Sequence, residues 1–125
     1  MEIITTIPDK NTFLDILSNN EFVLLNFNAQ WCGPCKKVKP LFPDLFLNLN
    51  SNLQPIILDV DENIDLYVLL KQNSIIKTIP AFLFYKKTQL INNLFSSDED
   101  EVKEFVKKCN DYSKGFLFQT TIPSL

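Results

Sequence analysis

Apolar residues in this chain fall into two alternating patterns, one spaced for strands and one for helices. Residues 2–6 are short and rich in β-branched side chains, which predicts a first strand. Pro8 and Asp9 then open a helix with Phe13, Ile16 and Leu17 on one face. Residues 21–27 (E-F-V-L-L-N-F) form a near-continuous apolar run, as expected of a strand buried on both faces. Val38, Leu41, Phe42, Leu45, Phe46 and Leu49 follow at spacings of 3, 1, 3, 1 and 3, the stripe of a long buried helix. Pro40 and Pro43 lie inside that stripe. Each removes a backbone donor, so a kink is expected near Pro40.

Residues 53–60 (L-Q-P-I-I-L-D-V) read as another buried strand, and 61–72 as a helix with Leu66, Leu69 and Leu70 inward. Residues 81–85 and 90–95 are two strands joined by the short polar link 86–89, a hairpin pattern. Residues 98–110 close the pattern as a helix with Val102, Phe105, Val106 and Cys109 inward. Its acids, Asp98 to Glu101, crowd the N-terminus, and Lys107 and Lys108 sit toward the C-terminus, which suits the helix dipole. Strands alternating with helices predict an α/β layered domain. We place it at residues 1–110, followed by a partly apolar extension at 111–125. The F-L-F and I-P-S-L of that extension are too apolar for a typical disordered tail, and packing on the domain is the expectation.

Composition narrows the function. All 12 basic residues are lysines, against 15 acids, for a net charge of −3. That balance argues against a nucleic-acid surface, which wants a basic stripe and usually arginine. With no histidine in the chain, cysteine–histidine hydrolase mechanisms are excluded. A structural zinc site needs four ligands, usually cysteine or histidine, and three cysteines are present. No apolar run approaches the ~18 residues of a membrane span, and no basic segment followed by an apolar run marks a signal peptide. The expectation is a monomer in a reducing cytosol, the nucleus also being open, with no membrane association.

The chemistry concentrates in W-C-G-P-C-K at residues 31–36. Cysteines at i and i+3 of a helix start lie roughly 5–6 Å apart, within disulfide reach. Pro34 fits a first helical turn, where its missing N–H costs least, and Gly33 gives the turn freedom. Cys32, at the helix N-terminus and near Lys36, is favoured as thiolate and so as an exposed nucleophile. Cys35, one turn in, is expected to be more buried and to resolve the mixed disulfide. A structural staple is disfavoured by a reducing compartment, and a metal site by its missing ligands. Cys109 reads as a small buried hydrophobe.

The hexapeptide, the strand before it (V-L-L-N-F-N-A-Q), D-V-D-E-N at 59–63 and T-I-P at 78–80 together resemble the thioredoxin family. The resemblance runs from Met1 to about Cys109. It implies a thioredoxin fold, a mixed five-stranded sheet flanked by four helices. It also implies a Cys32–Cys35 redox disulfide, disulfide-containing protein substrates, an NADPH-dependent thioredoxin reductase as recycling partner, and no resident cofactor or metal. Pro80 would be cis and lie against the sulfurs. Ile79 would pair with an extended substrate peptide, with Trp31 and Pro34 as apolar contact surface. Packing is an equally weighted and compatible role for Trp31.

Three positions depart from the family pattern. Its buried aspartate is Asn26 here, its neighbouring lysine is Ile57, and a glycine of the last strand is Phe95. Asn26 and Ile57 make the space beneath the dithiol neutral, which avoids burying a charge. They also remove the group thought to take the Cys35 proton, so slow resolution is expected. Phe95 adds bulk beside the substrate groove. The alternative reading is a binding or adaptor module in which turnover is secondary.

Overall fold

The computed structural model of the protein describes residues 2–115. Its strands are β1 (Phe22–Asn28), β2 (Leu53–Asp59), β3 (Ala81–Lys86) and β4 (Gln89–Leu94). Helices are α1 (Lys10–Asn19), α2 (Gly33–Val38), α3 (Phe42–Leu45), α4 (Ile64–Gln72) and α5 (Glu99–Ser113). The sheet order is β2-β1-β3-β4. β1 runs parallel to β2 and antiparallel to β3, and β3 and β4 form the expected hairpin.

Alternation along β1 divides the core into two layers. Val23, Leu25 and Phe27 meet Phe13 and Leu17 of α1 and Leu66 and Leu70 of α4. Phe22 and Leu24 meet Val38, Phe42 and the α5 stripe of Val102, Phe105, Val106 and Cys109. All seven residues of β1 are buried, so the continuous apolar run is a central strand covered on both faces.

The expected fifth strand is reduced to a single parallel bridge between Ile4 and Ile56. The cause is Pro55. Ile4 donates to the Pro55 carbonyl at 3.2 Å and Ile57 donates to the Ile4 carbonyl at 2.9 Å. The next rung toward the N-terminus would need an N–H from residue 55 on the Glu2 carbonyl, and proline has none. The Gln54 side-chain amide fills that place, donating to the Glu2 carbonyl at 2.7 Å. The mixed sheet therefore has four strands.

The long helix is broken rather than kinked. α2 ends at Val38, a 3-10 turn spans Lys39–Leu41, and α3 ends at Leu45. Pro40 and Pro43 each delete a donor one turn apart, so no continuous ladder crosses the segment. Taking this interrupted helix as one, four helices flank the sheet. Val38, Phe42 and Phe46 are still buried on one side, while Leu49 falls outside the helix. α5 runs three residues past the Asn110 end read from the sequence, so Lys107 and Lys108 lie well inside it and none of its last turn is basic. Lys107 pairs instead with Asp111 at 2.8 Å. The F-L-F and I-P-S-L of the extension lie outside the described residues.

Candidate active site

β1 delivers the chain to the site. After Asn28 it turns, with the Cys32 N–H donating to the Ala29 carbonyl at 3.2 Å, and enters α2. Cys32 is the N-cap of α2 and Pro34 stands in its first turn. The Cys35 N–H donates to Cys32 Sγ at 3.2 Å. A cysteine sulfur thus takes the capping place that serine or aspartate usually fills. Cys32 and Cys35 form a disulfide with Cα atoms 5.3 Å apart, inside the expected window. Cys109 is the one free cysteine; burial in the α5 layer pushes its thiol pKa up.

Cys35 is more buried than Cys32, as expected, at 1% against 5% exposure. Cys32 is nevertheless not an exposed residue. Its N–H is tied to Ala29 and its sulfur contacts the loop at Ile79. Gly33, Pro34 and Lys36 are exposed around it. A methyl group added at Gly33 would meet nothing within 4 Å and its φ is not positive, so neither a close approach nor a left-handed turn calls for glycine there.

The Ile79–Pro80 peptide bond is cis. Pro80 is buried and Ile79 half-buried. Cys32 Sγ lies 3.9 Å from the Ile79 carbonyl oxygen. A disulfide sulfur has no proton, so this is a contact in the oxidised protein; a Cys32 thiol would be placed to donate there.

Trp31 is 65% exposed, which makes its ring a surface feature and not a core one. Its Nε1–H donates to Asp61 Oδ2 at 2.9 Å. Sequence reasoning missed Asp61, although it lies inside the quoted D-V-D-E-N stretch. Asp59 accepts from the Asp61 N–H at 2.8 Å and the Glu62 N–H at 3.3 Å, and so holds the turn that presents Asp61. The signal was an aspartate two residues before another, an Asx-turn spacing.

Asn26 is fully buried and pairs in register with Ile57 of β2 and Phe82 of β3. It is not left unsatisfied. Its Nδ2 donates to the Ala81 carbonyl at 3.2 Å and its Oδ1 accepts from Asn28 Nδ2 at 2.8 Å. Ile57 is half-buried against the α2–α3–α5 layer. Phe95 lies just past the end of β4, not in the last strand, and packs on the core layer that contains both active-site cysteines. Among the described residues, no group of three or more cysteine, aspartate or glutamate side chains is placed to hold a metal ion.

One family model, described as Thioredoxin, matches residues 4–108, the span that holds the helix-capping disulfide and the cis-proline loop. The chain belongs to the thioredoxin family. It is 32% identical to thioredoxin of Ictalurus punctatus over 88% of this chain and 99% of that one. It is 29% identical to thioredoxin 1 of Plasmodium falciparum, over 85% and 97% respectively. A solved structure of Plasmodium falciparum thioredoxin, 27% identical, superposes with a TM-score of 0.69 over 84% of this chain and 98% of that one. Thioredoxins are protein-disulfide oxidoreductases, and this thioredoxin-family chain carries the redox pair, Cys32 and Cys35, that such chemistry needs.

Proposed function

We propose that this protein reduces disulfides of other proteins by a two-step exchange. The Cys32 thiolate attacks one sulfur of a substrate disulfide. That S–S bond breaks, a Cys32–substrate disulfide forms, and the other substrate sulfur leaves as a thiolate and takes a proton. Cys35, on losing its own proton, attacks Cys32 Sγ. The mixed bond breaks, the second substrate thiol leaves, and the Cys32–Cys35 disulfide forms. Two electrons pass to the substrate. An NADPH-dependent thioredoxin reductase returns them, the protein working as a monomer in the reducing cytosol. Trp31, Pro34 and Ile79 form the apolar surface for the substrate peptide, with Phe95 narrowing its range.

The observation that carries this reading is the Cys35 N–H on Cys32 Sγ, in a bridge facing the Ile79–Pro80 loop. Reduction of insulin with dithiothreitol as regenerant tests it. Wild type should accelerate precipitation of the insulin chains, and Cys32→Ser should not. No acceleration by wild type would favour the adaptor reading.

The resolving step is slow in this reading. Asn26 has no proton to exchange in this pH range and Ile57 none at all, so Cys35 has no carboxylate beneath it. Stopped-flow reduction of a model disulfide should show the mixed disulfide persisting in wild type and clearing faster in Asn26→Asp. An unchanged resolving rate would defeat this.

A further inference from the structure

The side of β1 that faces α2, α3 and α5 carries two amides. Asn26 and Asn28 alternate with Leu25 and Phe27 along β1, so both project to the α2–α3–α5 side, and both are buried. Asn26 Nδ2 donates to the Ala81 carbonyl at 3.2 Å and lies 3.5 Å from the Phe27 carbonyl. Asn28 Nδ2 donates to Asn26 Oδ1 at 2.8 Å. These partners settle which way the Asn26 amide points. Two carbonyl oxygens accept only, so the NH₂ must face them and Oδ1 is left for Asn28.

Ala81 directly follows the cis Ile79–Pro80 bond, and the Ile79 carbonyl faces Cys32 Sγ. The Asn26 hydrogen bond therefore anchors, from inside the domain, the loop whose outer side faces the reactive sulfur. The in-register neighbours of Asn26, Ile57 and Phe82, are apolar; that of Asn28 is Asp59, half-buried, whose Oδ1 accepts from the Asp61 and Glu62 N–H groups. On the helices packed against this side, the buried titratable groups are Cys35 on α2 and Cys109 on α5. The lysines of α2, Asp44 of α3 and the acids and lysines of α5 are none of them buried.

We propose that Asn26 is a positioning residue for the substrate loop: oriented by Asn28, its amide fixes Ala81, and with it the Ile79–Pro80 face opposite Cys32, in a way that does not change with pH. This rests on Ile79 being the peptide-binding position. A buried carboxylate at the same place would behave differently. Its outer oxygen would still accept from Asn28, but its inner oxygen would face two carbonyls. Ionised, it would have no donor for Ala81 and would repel it; protonated, it would restore the bond.

The test compares Asn26→Asp and Asn26→Ala with wild type on insulin and on a small non-peptide disulfide, across pH. For Asn26→Asp on insulin, the ratio of wild-type to variant rate constants for mixed-disulfide formation, the step that precedes resolution, should rise about tenfold as the new carboxyl ionises, the loss expected for one buried hydrogen bond. For Asn26→Ala it should be raised at every pH. The small disulfide, which does not pair with Ile79, should show neither effect. A flat ratio for Asn26→Asp, or an equal change with the small disulfide, would overturn the proposal.

NMR gives a reading independent of activity. In the oxidised protein, where Cys32 carries no proton, backbone signals of Ile79 and Ala81 should titrate in Asn26→Asp and not in wild type; absence of titration in the variant also overturns the proposal. If those signals titrate while wild type fails to reduce insulin, Asn26 keeps its positioning role and the substrate reading falls. Should Asn26→Asp not fold, Asn28→Ala removes the orienting donor and leaves Asn26 in place. It should shift the Ile79 and Ala81 signals, and unchanged signals would count as refutation.

Discussion

The backbone N–H of Cys35 points at Cys32 Sγ, 3.2 Å away. In the reduced protein this donor is better used by a thiolate than by a thiol, so it favours ionisation of Cys32. Cys35 has no corresponding donor among the described hydrogen bonds and is the more buried of the two. Alkylation by iodoacetamide, followed by mass spectrometry, should label Cys32 with a midpoint below the ~8.5 of a free cysteine. Cys35 should lag well behind. Cys109, buried and with its thiol pKa raised, should stay unlabelled until the protein is denatured. Equal rates at Cys32 and Cys109 would contradict this geometry.

The single tryptophan allows the Trp31–Asp61 hydrogen bond to be read directly. Asp61→Ala removes the acceptor and leaves a mostly exposed ring tethered by little else. Time-resolved fluorescence anisotropy should show faster indole motion. Because a freer ring loses more entropy on binding, insulin KM should rise severalfold with kcat nearly unchanged. An unaltered anisotropy decay would mean that packing, and not Asp61, holds the ring.

Away from the site, Asn52 ties three elements together. Its Nδ2 donates to the Ser113 carbonyl at 2.9 Å and to Glu21 Oε1 at 3.0 Å. The first of these satisfies an end carbonyl of α5. Asn52→Ala leaves that carbonyl with Asn50 Nδ2 at 3.2 Å, and frees that Asn50 donor from its second acceptor, Asn52 Oδ1. The expected cost is about 1 kcal/mol, the usual net worth of such a bond. Urea unfolding should show a lower midpoint at an unchanged slope.

Which features the sequence disclosed follows from the range of the forces behind them. Residues 21–27 read as a buried strand because burial on both faces writes itself into every position. The α5 stripe read correctly because a period of 3.6 needs no tertiary knowledge. W-C-G-P-C-K was legible because its chemistry is local to one turn. The first strand was misread because its pairing toward the N-terminus depends on a partner, Pro55, 51 residues on from Ile4 (55 − 4). The helix after Cys35 was read from its apolar stripe, which persists across the break, while the two prolines decided the backbone. Asp61 escaped because its role is a contact with Trp31 at a separation of 30 residues. The Asn28–Asn26–Ala81 chain escaped for the same reason: one of its links spans 55 residues.

Tyr85 supplies a prediction at alkaline pH. It ends the buried run of β3, sits edge-on to Phe13 at 5.6 Å, and lines a cleft with Leu17, Leu70 and Leu90. Burial pushes its phenol up to about 12 from an ordinary value of 10. The neutral form is the one the fold holds. Between those values the unfolded chain releases the proton while the folded chain keeps it. Its contribution is therefore whole below pH 10 and is lost as pH rises toward 12, by on the order of 2 kcal/mol. Tyr85→Phe keeps the ring contact and removes the titration. The stability of wild type relative to Tyr85→Phe, from urea unfolding at a series of pH values, should hold steady to pH 10 and then fall. The Cys109 titration is common to both proteins and cancels in the difference. A difference that stays flat through this range would mean that the phenol ionises in the folded protein as easily as in the unfolded one.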